Sequence, residues 1–142
     1  MAYFFTQFSC LFNVGSAENA ARAEDIRAEL AAENYRDEGG YLGFDMQVDH
    51  EYGPGALWIS SDEYGEPEHV IRFVLRCAEA LDLRGVWGFT WSLGASRPLL
   101  DGFGGGAHVI DLGQRKTVAW IDCHDFVSER ITANGRAQEA AT

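Results

Sequence analysis

Basic residues are scarce in this chain: eleven Lys and Arg stand against twenty-two Asp and Glu, a formal net charge of −11 at neutral pH. Binding nucleic acid through its phosphates needs Lys and Arg to displace condensed counterions, so the deficit disfavours nucleic acid as a direct ligand. Anionic membrane surfaces are disfavoured for the same reason, and encounter with basic protein surfaces is favoured. No apolar run approaches the roughly 18 residues that a membrane-spanning helix needs, and Met1 to Leu11 lacks the basic flank of a signal peptide. A cytoplasmic protein is therefore expected. Cysteine is limited to Cys10, Cys77 and Cys123, an odd number with no CxxC pair, which indicates neither a disulfide framework nor a structural zinc site. These residues read as buried thiols, and no cofactor is implied.

What the chain does contain is enough apolar material for a core. Over 142 residues, 46% are hydrophobic and 13% aromatic, as in a folded protein rather than a charge-disordered one. One α+β domain over residues 1–134 with a flexible tail over 135–142 is expected. Residues 3–12 are rich in aromatics and read as a mostly buried, central strand. Ser16 is a good N-cap for an Ala- and Glu-rich helix from Ala17 to about Asn34, with Ala20 or Ala23, Ile26 and Leu30 as its apolar line. Gly39 and Gly40 end it, and Tyr41 to Val48 reads as a strand with Leu42, Phe44, Met46 and Val48 on one face. The turn Glu51 to Gly55 returns the chain as a strand over Ala56 to Ser61.

Pro67 suits the first position of a second helix running to Asp82, whose wide apolar face should lie deep against a sheet. Gly85 stops it. In the next strand, Val86 to Ser92, alternation puts Trp87, Phe89 and Trp91 on one face. The small residues on the other face, Gly88 and Thr90 beside Val86, would let a helix approach closely. Residues 93–106 read as a loop ending in three glycines, followed by a hairpin of Ala107 to Leu112 and Thr117 to Asp122 around Gly113-Gln114, then a short helix near Phe126 to Thr132. The order is that of a ferredoxin-like βαββαβ fold, a four-stranded antiparallel sheet with two helices on one face, extended by a C-terminal hairpin and a short helix.

The charge is not spread evenly. Fourteen acids and three arginines between Glu18 and Glu68 account for the whole net charge of −11, and the remainder balances at eight and eight. On the first helix Glu18, Asp25, Glu29 and Glu33 share one stripe, interrupted by Arg22. Asp37, Glu38, Asp49, Glu51, Asp62, Glu63 and Glu66 fall in loops or at helix starts. A solvated face kept for solubility explains such charge, and the acids from Asp62 to Glu68 also suit a helix N-terminus. If the groups merge, their carboxylates present rows that could engage a basic groove as nucleic-acid mimics do. The class so indicated is a partner-binding inhibitor and not an enzyme.

Reactive chemistry is sparser. Asp122-Cys123-His124-Asp125, with His108 or Asp111 from the neighbouring strand, is the densest cluster, and a metal-binding or small-enzyme reading centres there. Adjacent strand residues point to opposite faces, however, so Cys123 and His124 do not converge unaided. Gly104-Gly105-Gly106 precedes a strand and has no following Lys-Ser or Lys-Thr, so it lacks what a phosphate cradle uses. His50 and His69 sit among acids that would favour their protonated forms. Ser96, Arg97 and Asp101 are candidate ligand contacts in the long loop. The aromatic strand Trp87, Phe89 and Trp91, with Trp58 and Trp120 on neighbours, serves either core packing or a homodimer through an open sheet face.

The stretch Leu83-Arg84-Gly85-Val86-Trp87-Gly88-Phe89-Thr90-Trp91, then Ser96-Arg97-Pro98 and Leu100 to Ala107, resembles a segment of small uncharacterised acidic proteins of proteobacterial plasmids and phages. It lies within residues 83–107 of the 142. The resemblance carries no activity or site residue; it implies a mobile-element setting, in which small acidic proteins often inhibit host defence, as anti-restriction and anti-CRISPR proteins do.

Overall fold

The computed structural model describes residues 2–141, with side chains described up to residue 136. Its elements are β1 (Phe4–Asn13), α1 (Ala17–Glu38), β2 (Asp45–Val48), β3 (Ala56–Ser61), α2 (Pro67–Ala80), β4 (Val86–Ala95), β5 (Gly104–Asp111), β6 (Lys116–Asp122) and α3 (Cys123–Ala141), with a 3-10 turn His50–Tyr52 before β3. The strands form one six-stranded sheet in the order β2-β3-β1-β4-β5-β6, and every neighbouring pair is antiparallel. The fold is thus α+β. The expected sheet of four is corrected to six, because the C-terminal hairpin continues the same sheet beyond β4 instead of packing as an appendage.

Local signals explain most of the boundaries. Ser16 Oγ accepts the Asn19 N–H at 3.1 Å and caps α1, and Gly39 closes it in the left-handed region at φ 78°. The helix runs past Asn34 because that residue is buried and its amide donates to the Gly40 carbonyl at 2.9 Å, fastening the last turns to the loop. Pro67 opens α2 as expected. Only Asp45–Val48 of the predicted second strand pairs with β3, although Phe44 is buried.

Strand alternation sets the core. Phe8 and Phe12 of β1 and Leu57 and Ile59 of β3 face the helices, where α2 contributes Val70, Phe73, Val74 and Cys77 and α1 contributes Ala20, Ala23 and Leu30. Phe73 meets Phe12 edge-on at 6.4 Å and Phe44 at 5.4 Å between ring centroids. Each such side chain taken from water stabilises the fold by about 1.5–3 kcal/mol before conformational entropy is set against it. The helices run antiparallel, since Arg22 of α1 reaches Ala80 at the end of α2 while Glu38 of α1 meets Arg72 near its start.

Three expectations are corrected here. The helices pack on the aromatic face of β4 and not on the face of small residues: Trp87, Phe89 and Trp91 lie on the helix side of the sheet, with Phe89 edge-on to Phe8 at 6.0 Å and Trp87 stacked on Phe89 at 5.3 Å, which is the core-packing alternative. It is the opposite face, with Val86, Gly88 and Thr90, that stays exposed. Gly104-Gly105-Gly106 belong to β5 and not to a loop; a Cβ on Gly106 would stand 2.5 Å from the Ile121 carbonyl oxygen and collide with the Trp91 ring, which occupies the space the missing side chain leaves. Finally, the short helix expected at 126–132 is a 19-residue helix starting directly after β6, where Asp122 Oδ1 accepts the Asp125 N–H at 3.0 Å. Residues 135–141 of the expected tail continue that helix, and residue 142 lies outside the described residues.

Candidate functional site

Folding sorts the acids of residues 18–68 into three groups. Glu18 begins α1 at the end of the sheet where the β2–β3 turn packs: Val14 donates to the Gly55 carbonyl at 2.9 Å, and a Cβ on Gly55 would lie 2.6 Å from the Ser16 nitrogen. Asp49 and Glu51 belong to that turn, where the Asp49 carboxylate accepts the Glu51 N–H at 3.1 Å. Asp37, Glu38, Asp62, Glu63 and Glu66 gather at the other end, where Glu66 donates from its backbone to the Gly43 carbonyl at 2.8 Å and packs against Gly43. The 22 residues of α1 span about 33 Å, several times the ~8 Å Debye length at physiological salt, so the two ends act as separate fields. Asp25 and Glu29, with Glu33, join them along the helix.

The cations decide how much of that row stays negative. Arg22, which interrupts the stripe in sequence, turns aside and donates to the Ala80 carbonyl at 3.1 Å, satisfying the C-terminus of α2. Arg27 donates to the Phe44 carbonyl with its guanidinium 5.0 Å above that ring, and Arg36 pairs with Asp37 at 3.0 Å. From α2, Arg76 hydrogen-bonds Glu33 and holds that carboxyl below the usual glutamate range, while Arg72 lies 3.7 Å from Glu38. The C-terminal half of the stripe is therefore partly neutralised. Among the described residues, Glu18, Asp25 and Glu29 have no cation at ion-pair distance, and neither does exposed Glu24, which the sequence reading left out. Arg72 and Arg76 also went unweighed there, although their spacing of four residues signals a shared helix face.

The two histidines in the acidic segment differ. His50 is exposed in the 3-10 turn, whereas His69 is buried on α2, accepting the Gly43 N–H at Nδ1 (2.9 Å) and presenting Nε2 to Glu38 at 3.8 Å. His69 thus ties the α2 start to the loop before β2, a structural role.

The Asp122 to Asp125 cluster is dispersed by its own hydrogen bonds. His124 Nε2 is 2.5 Å from the Phe103 carbonyl, His108 Nε2 is 2.7 Å from Thr117 Oγ1, and the carboxylates of Asp122 and Asp111 accept the N–H groups of Asp125 and Gln114. Burial also pushes the His108 pKa down. Among the described residues, no three His, Cys, Asp or Glu converge as metal ligands would. Cys10 and Cys77 are shielded, burial pushing their thiols up to about 11 and about 12, but Cys123 is exposed, contrary to expectation, because α3 leaves the sheet there without being covered. Ser96 Oγ accepts the Tyr3 N–H at 2.9 Å, an internal tie of the loop.

On the uncovered sheet face, Ser9, Leu11, Asp49, Tyr52 and Trp58 line a depression of about 450 Å³. Trp58 lies across it, its indole N–H donating to Ser9 Oγ at 2.8 Å.

No family model, curated protein or solved structure matches this chain. Among the described residues no helix is long and apolar enough to cross a membrane.

Proposed function

We propose that this chain is a non-enzymatic acidic binding protein that engages the basic surface of a partner protein complex through the outer face of α1. One observation carries the reading: Glu18, Glu24, Asp25 and Glu29 are exposed with no cation at ion-pair distance among the described residues, while the three arginines of the same segment are occupied elsewhere. Carboxylates four residues apart on a helix lie about 6 Å apart along its axis, close to two phosphate steps of about 3.4 Å on one DNA strand. That spacing suits a cationic channel built for a nucleic-acid backbone. With the mobile-element setting implied by the resemblance, it supports an inhibitor of a nucleic-acid-handling defence complex, of anti-CRISPR or anti-restriction type. The clusters at the two ends of the sheet serve as flanking contacts.

The scaffold for that face is a ferredoxin-like βαββαβ unit extended by β5 and β6. The order β2-β3-β1-β4 within the larger sheet, with α1 and α2 packed on a shared face, supports this assignment.

The test is capture of partners from cells that carry nucleic-acid defence complexes, using the wild-type chain and a Glu18→Lys, Asp25→Lys, Glu29→Lys variant whose circular dichroism is unchanged. The reading expects a defence component held by the wild type, released by competing DNA and missed by the variant. Equal capture by both removes α1 from the interface and the proposal with it.

A further inference from the structure

The edge of the sheet farthest from the acidic residues carries a different kind of surface. β6 is the terminal strand, with one flank of backbone N–H and C=O groups unpaired among the described elements. Such an edge is a template for another strand unless charge, proline or a covering element blunts it. Here charge is confined to the two ends of the strand, Lys116 and Asp122, and the stretch between them is uncharged and largely apolar: Val118, Trp120 and Ile121 of β6 and Phe126, Val127 and Ile131 of α3 are each between 39% and 67% exposed. Every described side chain of α3 after Asp122 is exposed. Helices of this length in proteins owe most of their stability to a packed face, yet no described side chain of α3 is buried against its own chain. Six strands make a sheet about 29 Å wide, whereas two helices cover about 20 Å, so roughly two strands on the helix side lack a layer.

We propose that β6 pairs antiparallel with β6 of a second copy of this chain about a two-fold axis, and that the apolar residues of α3 join the contact. Charge identifies the occupant. Between Lys116 and Arg136 three basic residues (Lys116, Arg130, Arg136) balance three acids (Asp122, Asp125, Glu129), so this surface is neutral on a chain of net charge −11. A second copy docking over α1 would meet like charge. Docking along β6 instead places the acidic edges of the two copies at opposite ends of a joined sheet, where screening removes their repulsion. The strand is also self-complementary: Lys116 begins it and Asp122 ends it, so antiparallel pairing turns each lysine towards the other copy's aspartate, whereas parallel pairing sets like against like. Trp120 and its apolar neighbours fall in the middle, where a two-fold contact buries them best. This surface is separate from the α1 face, which it leaves free for a partner.

Sedimentation velocity across a concentration series tests it. The wild-type chain is expected to approach twice its 15.7 kDa mass. Trp120→Glu and, separately, Ile131→Glu are expected to sediment as monomers with unchanged far-ultraviolet circular dichroism, and Lys116→Glu to weaken the dimer about three- to tenfold. Should Trp120→Glu fail to fold, Ile131→Glu decides, because Ile131 is exposed in its own chain. A wild type that stays monomeric throughout overturns the proposal, as does a dimer that persists in the α3 variant. The Glu18→Lys, Asp25→Lys, Glu29→Lys protein should remain a dimer, which keeps this outcome distinct from the partner-capture result.

Discussion

The sheet beneath α1 and α2 and the extension formed by β5, β6 and α3 are built from similar alternating strands, yet they end in opposite conditions. In the first, both helices deliver apolar faces to the strands, and Phe12, Leu57, Ile59, Val70 and Phe73 are fully buried. Its outer surface carries the net charge of the chain, and each arginine in that segment is tied to a carbonyl or a carboxylate. In the second, four basic residues nearly balance five acids over residues 104–141, while tryptophan, isoleucine and phenylalanine face water. The contrast is one of surfaces: the acidic side repels a second copy of itself, whereas the extension is nearly neutral and apolar, and the two proposals above assign the first to a basic partner and the second to another copy of the chain.

The sharpest way to break the comparison is by truncating one apolar residue from the core and one from the loop that leads into the extension. Phe73→Ala removes a ring from the centre of the core and is expected to cost about 3–5 kcal/mol in urea denaturation. Leu100→Ala, at a side chain 96% exposed in the loop before β5, should change stability by less than about 0.5 kcal/mol. Comparable losses at both sites would mean that the loop is covered in solution.

The thiols read the same division without mutation. Native protein treated with a maleimide at mildly alkaline pH should take up one equivalent quickly, at exposed Cys123. Cys10 and Cys77, pushed up to about 11 and about 12 by burial, should react at least about a hundredfold more slowly until denaturant is added. Peptide mapping by mass spectrometry assigns the sites; fast labelling of Cys77 would show that the helix-covered part opens readily.

The smallest effect concerns the fastening between the two parts. Asp82, at the end of α2, accepts from Arg115 of the β5–β6 turn at 2.8 Å and from Arg84 at 3.1 Å; the Arg115 hydrogen bond foremost, then the Arg84 charge, holds its carboxyl below the usual aspartate range. A carboxyl whose folded pKa is depressed contributes stability above its unfolded pKa and loses it as pH falls through the folded value. Melting temperature should therefore fall below about pH 4 slightly more steeply for the wild type than for Asp82→Asn. Parallel acid profiles would mean that the contact is too exposed to matter.

Much of the scaffold was legible residue by residue. The Ser16 cap, the glycine at 39, proline at 67 and the turn at 113–114 each act over a few neighbours, so each leaves a readable mark. Alternation likewise marked Trp87, Phe89 and Trp91 as sharing a face. Which face the helices would choose was not readable, because it depends on two helices landing on the same side of strands distant in sequence. The glycines at 104–106 misled because a triple glycine ordinarily signals a loop, and only close contact of Gly105 and Gly106 with Trp91, fourteen and fifteen residues earlier, and of Gly104 with His124 explains them as strand. The candidate acidic site was visible as composition, but its outcome hung on Arg72 and Arg76, which cross from another helix.

By itself, then, the order of residues determined where α1, β3, α2 and β4 begin, which positions are apolar, and that the negative charge belongs to one segment, since caps, periodicity and formal charge are local properties. Tertiary structure decided which carboxylates remain free, which cysteine meets solvent, and that β6 and α3 stand uncovered. Those depend on which surfaces meet across the sheet, and no short-range rule along the chain contains that information.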